Sequence, residues 1–327
     1  MAETAPIADV AVVVADSLFA EFLWKASPFR DQNWPCEDSK GHSDRKTHPS
    51  DVVFNYDEPY RPVRTYVNTD LKSYGAGSIT PLQVKKAIFN LAQSLQCAEL
   101  SSKWHDLYVE PETAHSLIGM LFIYNHDNAY DKNFDSLLAS LDLSDVAVPR
   151  GSRLFILGPS EIHWLNNVAY EIRQMRGVAV GAIPARDACY FYHPHLARRK
   201  NVQVKEAKAA TLEMLMGPWI TMRYRKATGK DSVVLFYRGK GSKPDEFLQV
   251  IDYLMNYQMI EEGIDVQVRT LSADELAAAH FKQAVEKYIR DCEAKPDTAE
   301  LLRAVLYLPI NDIHSHFSLL VAGMRDA

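Results

Sequence analysis

The stretch TYVNTDLKSYGAGSIT, residues 65–80, combines a strand pattern, two charged residues and the start of a helix. Side chains that alternate between two faces along the strand put Asp70 and Lys72 on the same face. Thr80, Pro81 and Gln83 then match a capping box with proline at the first helical position. The sequence therefore predicts a strand that ends in a carboxylate and an ammonium group and is followed by a helix.

A second strand-like run, residues 51–56, precedes this one and is joined to it through the turn-forming DEPY, which predicts a hairpin. A turn centred just after Tyr60 places Asp51 opposite Asp70, with Cβ atoms roughly 4.5–5.5 Å apart. Two like charges in that position destabilise a sheet unless a positive charge lies between them. A divalent cation together with Lys72 would supply that charge.

This arrangement resembles the PD-(D/E)xK restriction-endonuclease-like nuclease core, over about residues 16–130. The resemblance is carried by an aspartate before a hairpin, an Asp-Leu-Lys triplet at a strand end and a helix directly afterwards. It implies an α/β fold with a mixed sheet flanked by helices. It also implies a Mg²⁺- or Mn²⁺-dependent enzyme that hydrolyses phosphodiester bonds in DNA.

The resemblance implies a role for each residue of the hairpin motif. Asp51 and Asp70 would bind the metal together with the backbone carbonyl of Leu71, and Lys72 would position the attacking water. The chemistry agrees with these residue types, because phosphodiester hydrolysis needs a hard cation held by oxygen ligands with open water positions.

The resemblance also implies two supporting residues. Glu21 matches an acid that the family often carries on its first helix, where it would bind a second metal or orient the first; Glu37 and Asp44 are alternatives. Gln83, or less specifically Lys86, matches a polar residue on the following helix that would contact the lysine or a phosphate.

The second half of the chain starts a new alternation of strand and helix patterns, with strands at SVVLFY and DVQVRTL around the helix PDEFLQVIDYLMNYQMI. This alternation predicts a second, smaller α/β domain. The predicted boundaries are 1–178 for the nuclease-like domain and 179–327 for a basic domain that binds DNA or a partner.

Charge is distributed unevenly along the chain. The total is −6, but residues 198–243 contain twelve lysines and arginines and three acids, a net +9 that leaves −15 elsewhere. Such a segment is typical of a phosphate-binding face, although its charges could equally be spread over a solvated surface. The predicted nucleic-acid contacts are Arg198, Arg199, Lys200, Arg223, Arg225, Lys240 and Lys243.

The four cysteines are far apart and include no C-x-x-C pair: Cys36, Cys97, Cys189 and Cys292. This spacing argues against a disulfide framework and a zinc ribbon, so inert thiols are expected. Cys36, His42 and His48 lie in one loop and offer three zinc ligands. A structural zinc site needs four in tight pairs, which favours a surface loop near the active site instead.

The apolar segment IADVAVVVADSLFAEFLW contains three acids and follows no lysine or arginine, so it fits neither a secretory signal nor a membrane span. A cytoplasmic protein without membrane contacts is expected. Family habit indicates restriction, repair or anti-phage defence, regulated by a protein partner subunit or a homo-oligomer. The alternative is a catalytically silent scaffold or nucleic-acid-binding subunit, which would have no reason to keep two carboxylates and a lysine together.

Overall fold

The computed structural model describes residues 5–177, 183–193 and 207–314, and within them the chain forms two compact units. The first contains Trp24–His163 with the helix residues before Glu21, and the second contains Glu21–Leu23 and Trp164–Ile313. A domain boundary at residue 178 stays a prediction, because compactness alone does not define a domain that folds independently.

The first half of the chain alternates strands and helices. In chain order the elements are α1 (Ala5–Glu21), β1 (Lys25–Ala26), β2 (Gln32–Pro35), β3 (Thr47–Ser50), β4 (Val52–Asp57), β5 (Arg64–Tyr74), α2 (Pro81–Ala98), α3 (Ser102–Tyr108), β6 (His115–Asn125), α4 (Phe134–Ala139), β7 (Arg153–Leu157) and α5 (Pro159–Gly177). A short 3-10 helix, Ala76–Ser78, connects β5 to α2.

Five strands form a mixed sheet in the order β1-β4-β5-β6-β7. Strand β5 pairs antiparallel with β4 and parallel with β6, which in turn pairs parallel with β7. The predicted mixed α/β fold with flanking helices is confirmed. The hairpin register is also confirmed: Val52 lies opposite Thr69, so Asp51, one residue earlier, faces the position of Asp70.

Helix α2 begins and packs as its sequence predicts. Thr80 is the N-cap, with its side chain accepting a hydrogen bond from the Gln83 backbone N–H. The buried face of α2 joins side chains of β6 in one cluster, which includes Ile88, Leu91, Leu121 and Ile123. Gly119 on β6 permits this close approach, because a Cβ there would come within 2.6 Å of Leu95 Cδ1.

The hairpin of β2 and β3 fixes the backbone at Asp51. Its central side chain, Trp34, is 1% exposed and packs into a cluster with Val53, Tyr66, Leu95 and Trp104. Asp51 follows β3 directly, and its carbonyl accepts a hydrogen bond from the Asp31 N–H at 3.0 Å. Asp51, the first candidate metal ligand, therefore lies between β3 and β4, each of which is paired with another strand, rather than on a free loop.

The second unit contains another five-stranded sheet with helices. Its elements are β8 (Cys189–Phe191), α6 (Leu212–Leu215), β9 (Trp219–Arg225), β10 (Asp231–Tyr237), α7 (Pro244–Asn256), β11 (Ile264–Leu271), α8 (Ala277–Asp291), α9 (Pro296–Arg303) and β12 (Leu306–Ile310). The strands are ordered β12-β11-β10-β9-β8. Strands β10, β11 and β12 are parallel, whereas β9 pairs antiparallel with β8 and β10.

Helices α7 and α8 bury apolar faces in a core shared with β10 and β11, centred on Phe247, Val268 and Phe281. This arrangement matches the predicted strand and helix alternation of a second α/β region. Among the helices in the described ranges, none has both the length and the apolar run needed to cross a bilayer.

Loss of the α2 cap should destabilise the protein measurably. Thr80→Ala removes the acceptor for the Gln83 N–H, and such losses cost about 1 kcal/mol of unfolding free energy. Urea denaturation should show this decrease, with Thr80→Ser close to wild type because serine keeps the oxygen. Equal midpoints for the alanine and serine variants would show that the cap contributes nothing.

Candidate active site

A cleft of about 290 Å³ lies where β3 ends and β5 passes beside α2. Most of its lining residues are polar, and they come from the loop after β2, from β3, from β5 and from α2. The lining residues are Arg45, Thr47, Pro49, Asp51, Asn68, Thr69, Asp70, Lys72, Asn90, Leu91 and Ser94. The carboxylates and the lysine of the hairpin motif therefore open into one space.

Asp70 and Lys72 form an ion pair within β5, in which Lys72 Nζ donates to Asp70 Oδ1. Both side chains are largely buried, with exposed fractions of 19% and 27%. Burial disfavours the charged ammonium and lowers the pKa of Lys72, but the charges of Asp70 and Asp51 outweigh it, so the pKa lies above its usual value. Lys72 is therefore a fixed positive charge at neutral pH.

Asp51 completes the group from the other side of the hairpin. Its Oδ2 accepts a hydrogen bond from the Leu71 N–H at 2.7 Å, which aims the carboxylate at the end of β5. Burial, followed by the charge of Asp70, raises the pKa of Asp51 to about 7, although Lys72 and the Leu71 N–H partly oppose the shift. The two carboxylates thus repel each other in the way that the register predicted.

A chain of buried hydrogen bonds supports the floor of the cleft. Trp34 Nε1 donates to Ser50 Oγ at 3.0 Å, and Ser50 Oγ donates to Asn68 Oδ1 at 2.7 Å. Asn68 Nδ2 then donates to Ser94 Oγ on α2 at 3.0 Å. These bonds tie β2, β3, β5 and α2 together beside the carboxylates, and each buried polar side chain in the series has a partner.

The donor set of the cleft fits a hard divalent cation. Two carboxylates face each other across the hairpin, and the backbone of Leu71, directly after Asp70, lies close enough for its N–H to donate to Asp51. Mg²⁺ and Mn²⁺ prefer carboxylate oxygens, and a bound cation would offset both the burial of Asp51 and its repulsion by Asp70, which together raise the pKa of Asp51.

Residues 1–161 match the family model described as the GAPS4 protein PD-(D/E)XK nuclease domain. The N-terminal part of this chain is a PD-(D/E)XK nuclease domain. The match is in line with the anti-phage defence indicated by the sequence. Comparison of the chain with curated proteins and with solved structures finds no match.

Within the nuclease domain, α2 contributes different residues from the one predicted. Gln83 is exposed in the first turn, whereas Asn90, Leu91 and Ser94 line the cleft two to three turns later. Asn90 accepts a hydrogen bond from Arg45 Nη2 at 2.9 Å. Asn90 and Ser94 are four residues apart beside the apolar stripe of α2, and this spacing was the sequence signal for the face that lines the cleft.

Glu21 does not fit its predicted role as a metal ligand. Its side chain is fully buried, Oε1 accepts from Arg186 Nε at 3.0 Å, and Oε2 accepts from Arg176 Nη1 at 3.1 Å. Both oxygens are therefore engaged by guanidinium groups, which occupy the lone pairs that a metal would need. Glu21 does lie on the first helix, as predicted, but its side-chain partners are arginines far along the chain.

The predicted nucleic-acid residues are placed only in part. Arg198, Arg199 and Lys200 lie outside the described residues. Arg223 is half-buried, with its guanidinium 4.7 Å from the Tyr192 ring centroid. A residue that stacks in this way is less free to contact a phosphate than an exposed arginine.

The remaining basic residues lie at two ends of the second sheet. Arg225 faces Asp231 at the start of β10 and pairs with it at 3.3 Å. Exposed Lys240 and Lys243 follow the other end of β10, beyond Tyr237. Since seven strand residues span about 20 Å, these side chains do not form one continuous patch.

Replacement of Asp51 by asparagine should stabilise the metal-free protein. The raised pKa means that the folded state binds more protons than the unfolded state between pH 4 and 7, so stability falls as pH rises through that window. Asp51→Asn removes the charge but keeps an acceptor for the Leu71 N–H. At pH 8 the Asp51→Asn variant should melt at a higher Tm than the wild type, and its Tm should fall less between pH 5 and pH 8. Parallel slopes would contradict this assignment.

Metal binding in the cleft should weaken on acidification. Asp51 must lose its proton to bind a cation, and its pKa of about 7 makes that loss incomplete below neutrality. The rise in Tm caused by Mg²⁺ should therefore be larger at pH 8 than at pH 6. Asp70→Ala should show no rise at either pH; a Mg²⁺ effect that persists in this variant would place the metal elsewhere.

Proposed function

We propose that the protein is a metal-dependent DNA endonuclease of anti-phage or restriction defence. The observation that carries the proposal is the convergence of Asp51, Asp70 and Lys72 in one cleft, on strands held by paired backbone. Carboxylates on rigid strands keep a cation in a productive geometry better than carboxylates on loops do. The cleft opens beside α2, where polar side chains are available for the substrate.

The proposed reaction divides the work among these side chains. A Mg²⁺ or Mn²⁺ ion bound by Asp51, Asp70 and the Leu71 carbonyl would supply charge neutralisation and an acidified water. Lys72, protonated at neutral pH, is suited to donate a hydrogen bond to the attacking water or to a phosphate oxygen. It would stabilise negative charge in the transition state rather than abstract a proton.

Arg45 is the proposed phosphate-binding residue at the wall of the cleft. One of its guanidinium nitrogens donates to Asn90, which leaves further donors of the planar fork for a second acceptor. Guanidinium groups bind phosphate oxygens with two parallel hydrogen bonds. Arg45 would therefore orient the scissile phosphate against Asp51 and Asp70.

The second unit is proposed to contribute to binding of DNA or a partner. Lys240 and Lys243 are exposed and close in sequence, which favours them over Arg223 as phosphate contacts. Arg225 shares its charge with Asp231, so its contribution should be smaller. DNA is proposed over RNA because of the resemblance to restriction endonucleases.

Control by a protein partner or a homo-oligomer, in the cytoplasm, belongs to the same proposal. An unrestrained nuclease would cut the DNA of its own cell, so activity must be held back until a foreign nucleic acid is sensed. A catalytically silent subunit is the competing function. It is disfavoured because two opposed buried carboxylates destabilise the fold and have no structural purpose without a cation.

Cleavage of supercoiled and linear plasmid tests the proposal directly. The purified protein should cut with added Mg²⁺ or Mn²⁺ and not when the added metal is omitted. Asp70→Ala should abolish cutting, and Lys72→Ala should reduce it by about 10²–10³-fold, as loss of a transition-state donor does elsewhere. Cutting by Asp70→Ala at the wild-type rate would overturn the assignment.

Matched controls come from α3, where Asp106 and Lys103 are exposed. Asp106→Ala and Lys103→Ala remove the same chemical groups as the active-site variants and should leave cleavage unchanged. Wild-type protein that cuts neither substrate in either metal, yet is stabilised by Mg²⁺ through Asp70, would point to a missing partner. Absence of both effects would favour the silent subunit.

A further inference from the structure

Four side chains converge near the loop that joins β2 to β3, whereas Asp51 follows the other end of β3: Cys36, His42, His48 and Cys97. One ligand atom from each lies within 4.8 Å of all the others. The expected exposed loop with unconnected thiols is therefore wrong at these positions, since His42, His48 and Cys97 are at most 5% exposed. Cys97, on α2 and distant in sequence, is the fourth residue that the loop lacked.

The three distances among the ligand atoms of Cys36, His42 and Cys97 fit a tetrahedral centre. Cys36 Sγ lies 3.6 Å from Cys97 Sγ and 3.3 Å from His42 Nδ1, and Cys97 Sγ lies 3.4 Å from His42 Nδ1. Zinc bonds of 2.3 Å to sulfur and 2.0–2.1 Å to nitrogen place tetrahedral ligands about 3.8 Å apart for two sulfurs and about 3.6 Å for sulfur and nitrogen. Three edges of the tetrahedron thus have nearly the required length.

Outer contacts orient two of these ligands. His42 Nε2 lies 2.9 Å from Gln96 Oε1, so it carries the proton and leaves Nδ1 free to face the sulfurs. The Glu37 N–H donates to Cys97 Sγ at 3.3 Å. Such a donor favours a thiolate, which is the form that binds metal.

His48 supplies an independent observation. It is 0% exposed, and neither ring nitrogen has a hydrogen-bond partner among the described residues. A buried imidazole without partners is costly, and such groups require an explanation. Ligation of a metal ion would give one of these ring nitrogens a partner.

We propose that Cys36, His42, His48 and Cys97 bind a structural zinc ion. The two-sulfur, two-nitrogen donor set suits Zn²⁺ and not the hard cation of the catalytic cleft. Four protein ligands leave no open position for water or substrate, so the site is structural rather than catalytic. It is a second metal centre, distinct in chemistry and in residues from Asp51 and Asp70.

The proposed zinc site would hold in place two of the segments that line the cleft. It ties the loop of residues 36–46 and β3 to α2, and that loop contains two consecutive residues with left-handed backbone, Ser43 and Asp44. Arg45 follows them, and Asp51 follows β3. Loss of zinc should therefore loosen both the phosphate-binding arginine and one carboxylate.

Metal analysis of the purified full-length protein tests this inference. Elemental mass spectrometry should find one zinc ion per chain, and Co²⁺ exchange should give the visible d–d and thiolate charge-transfer bands of a tetrahedral site. Cys36→Ser and Cys97→Ser should lose the metal. Cys189→Ser and Cys292→Ser, which change a buried and an exposed thiol elsewhere, should keep it.

The catalytic site provides the contrast that separates the two metals. Asp70→Ala should retain stoichiometric zinc while losing the stabilisation by Mg²⁺. Cys36→Ser should lose zinc, whatever nuclease activity this variant retains. Three results would overturn the inference. They are wild-type protein that holds no zinc even after incubation with Zn²⁺, zinc retained by both Cys36→Ser and Cys97→Ser, and a Cys36–Cys97 disulfide found by mass spectrometry of unreduced protein.

Discussion

The opposition of Asp51 and Asp70 is the constraint on which the rest of the nuclease domain depends. Two carboxylates that face each other across a hairpin are unfavourable, and the pKa of Asp51 is raised first by burial and then by the charge of Asp70. Lys72 relieves it in part, because its ammonium group is held against Asp70. The hydrogen-bonded floor from Trp34 to Ser94 then prevents the strands from moving apart to relax the repulsion. Functional groups held against their own repulsion are typical of sites that trade stability for activity.

The proposed zinc centre gives this architecture a second kind of restraint. A loop between two short strands has little apolar surface to bury, so its position cannot rest on hydrophobic packing alone. Metal ligation by Cys36, His42, His48 and Cys97 would replace that packing with a few strong bonds. The same protein would then use a soft, closed site for shape and a hard, open site for hydrolysis, with the residues of each selecting its own metal.

Alternation and turn chemistry were sufficient to predict the hairpin, its register and the helix after it. These features depend on neighbours within about twenty residues, where side-chain direction follows directly from backbone geometry. The shared face of Asp70 and Lys72 and the position of Asp51 opposite them therefore needed no knowledge of the fold. The family match over residues 1–161 agrees with that local pattern. The role of Gln83 was a weaker inference, because a helix cap says where a helix begins but not which face meets the cleft.

The sequence by itself determined the motif, the mixed α/β class and the spacing of the candidate ligands. Only the tertiary structure decided which distant residues joined them. Asn90 and Ser94 line the cleft because α2 packs beside β5, where Asn68 donates to Ser94, and Cys97 near the end of the same helix completes the loop cluster. Glu21 was engaged by Arg176 and Arg186, more than 150 residues away. Long-range contacts of this kind follow from how helices and sheets pack, and no local periodicity encodes that packing.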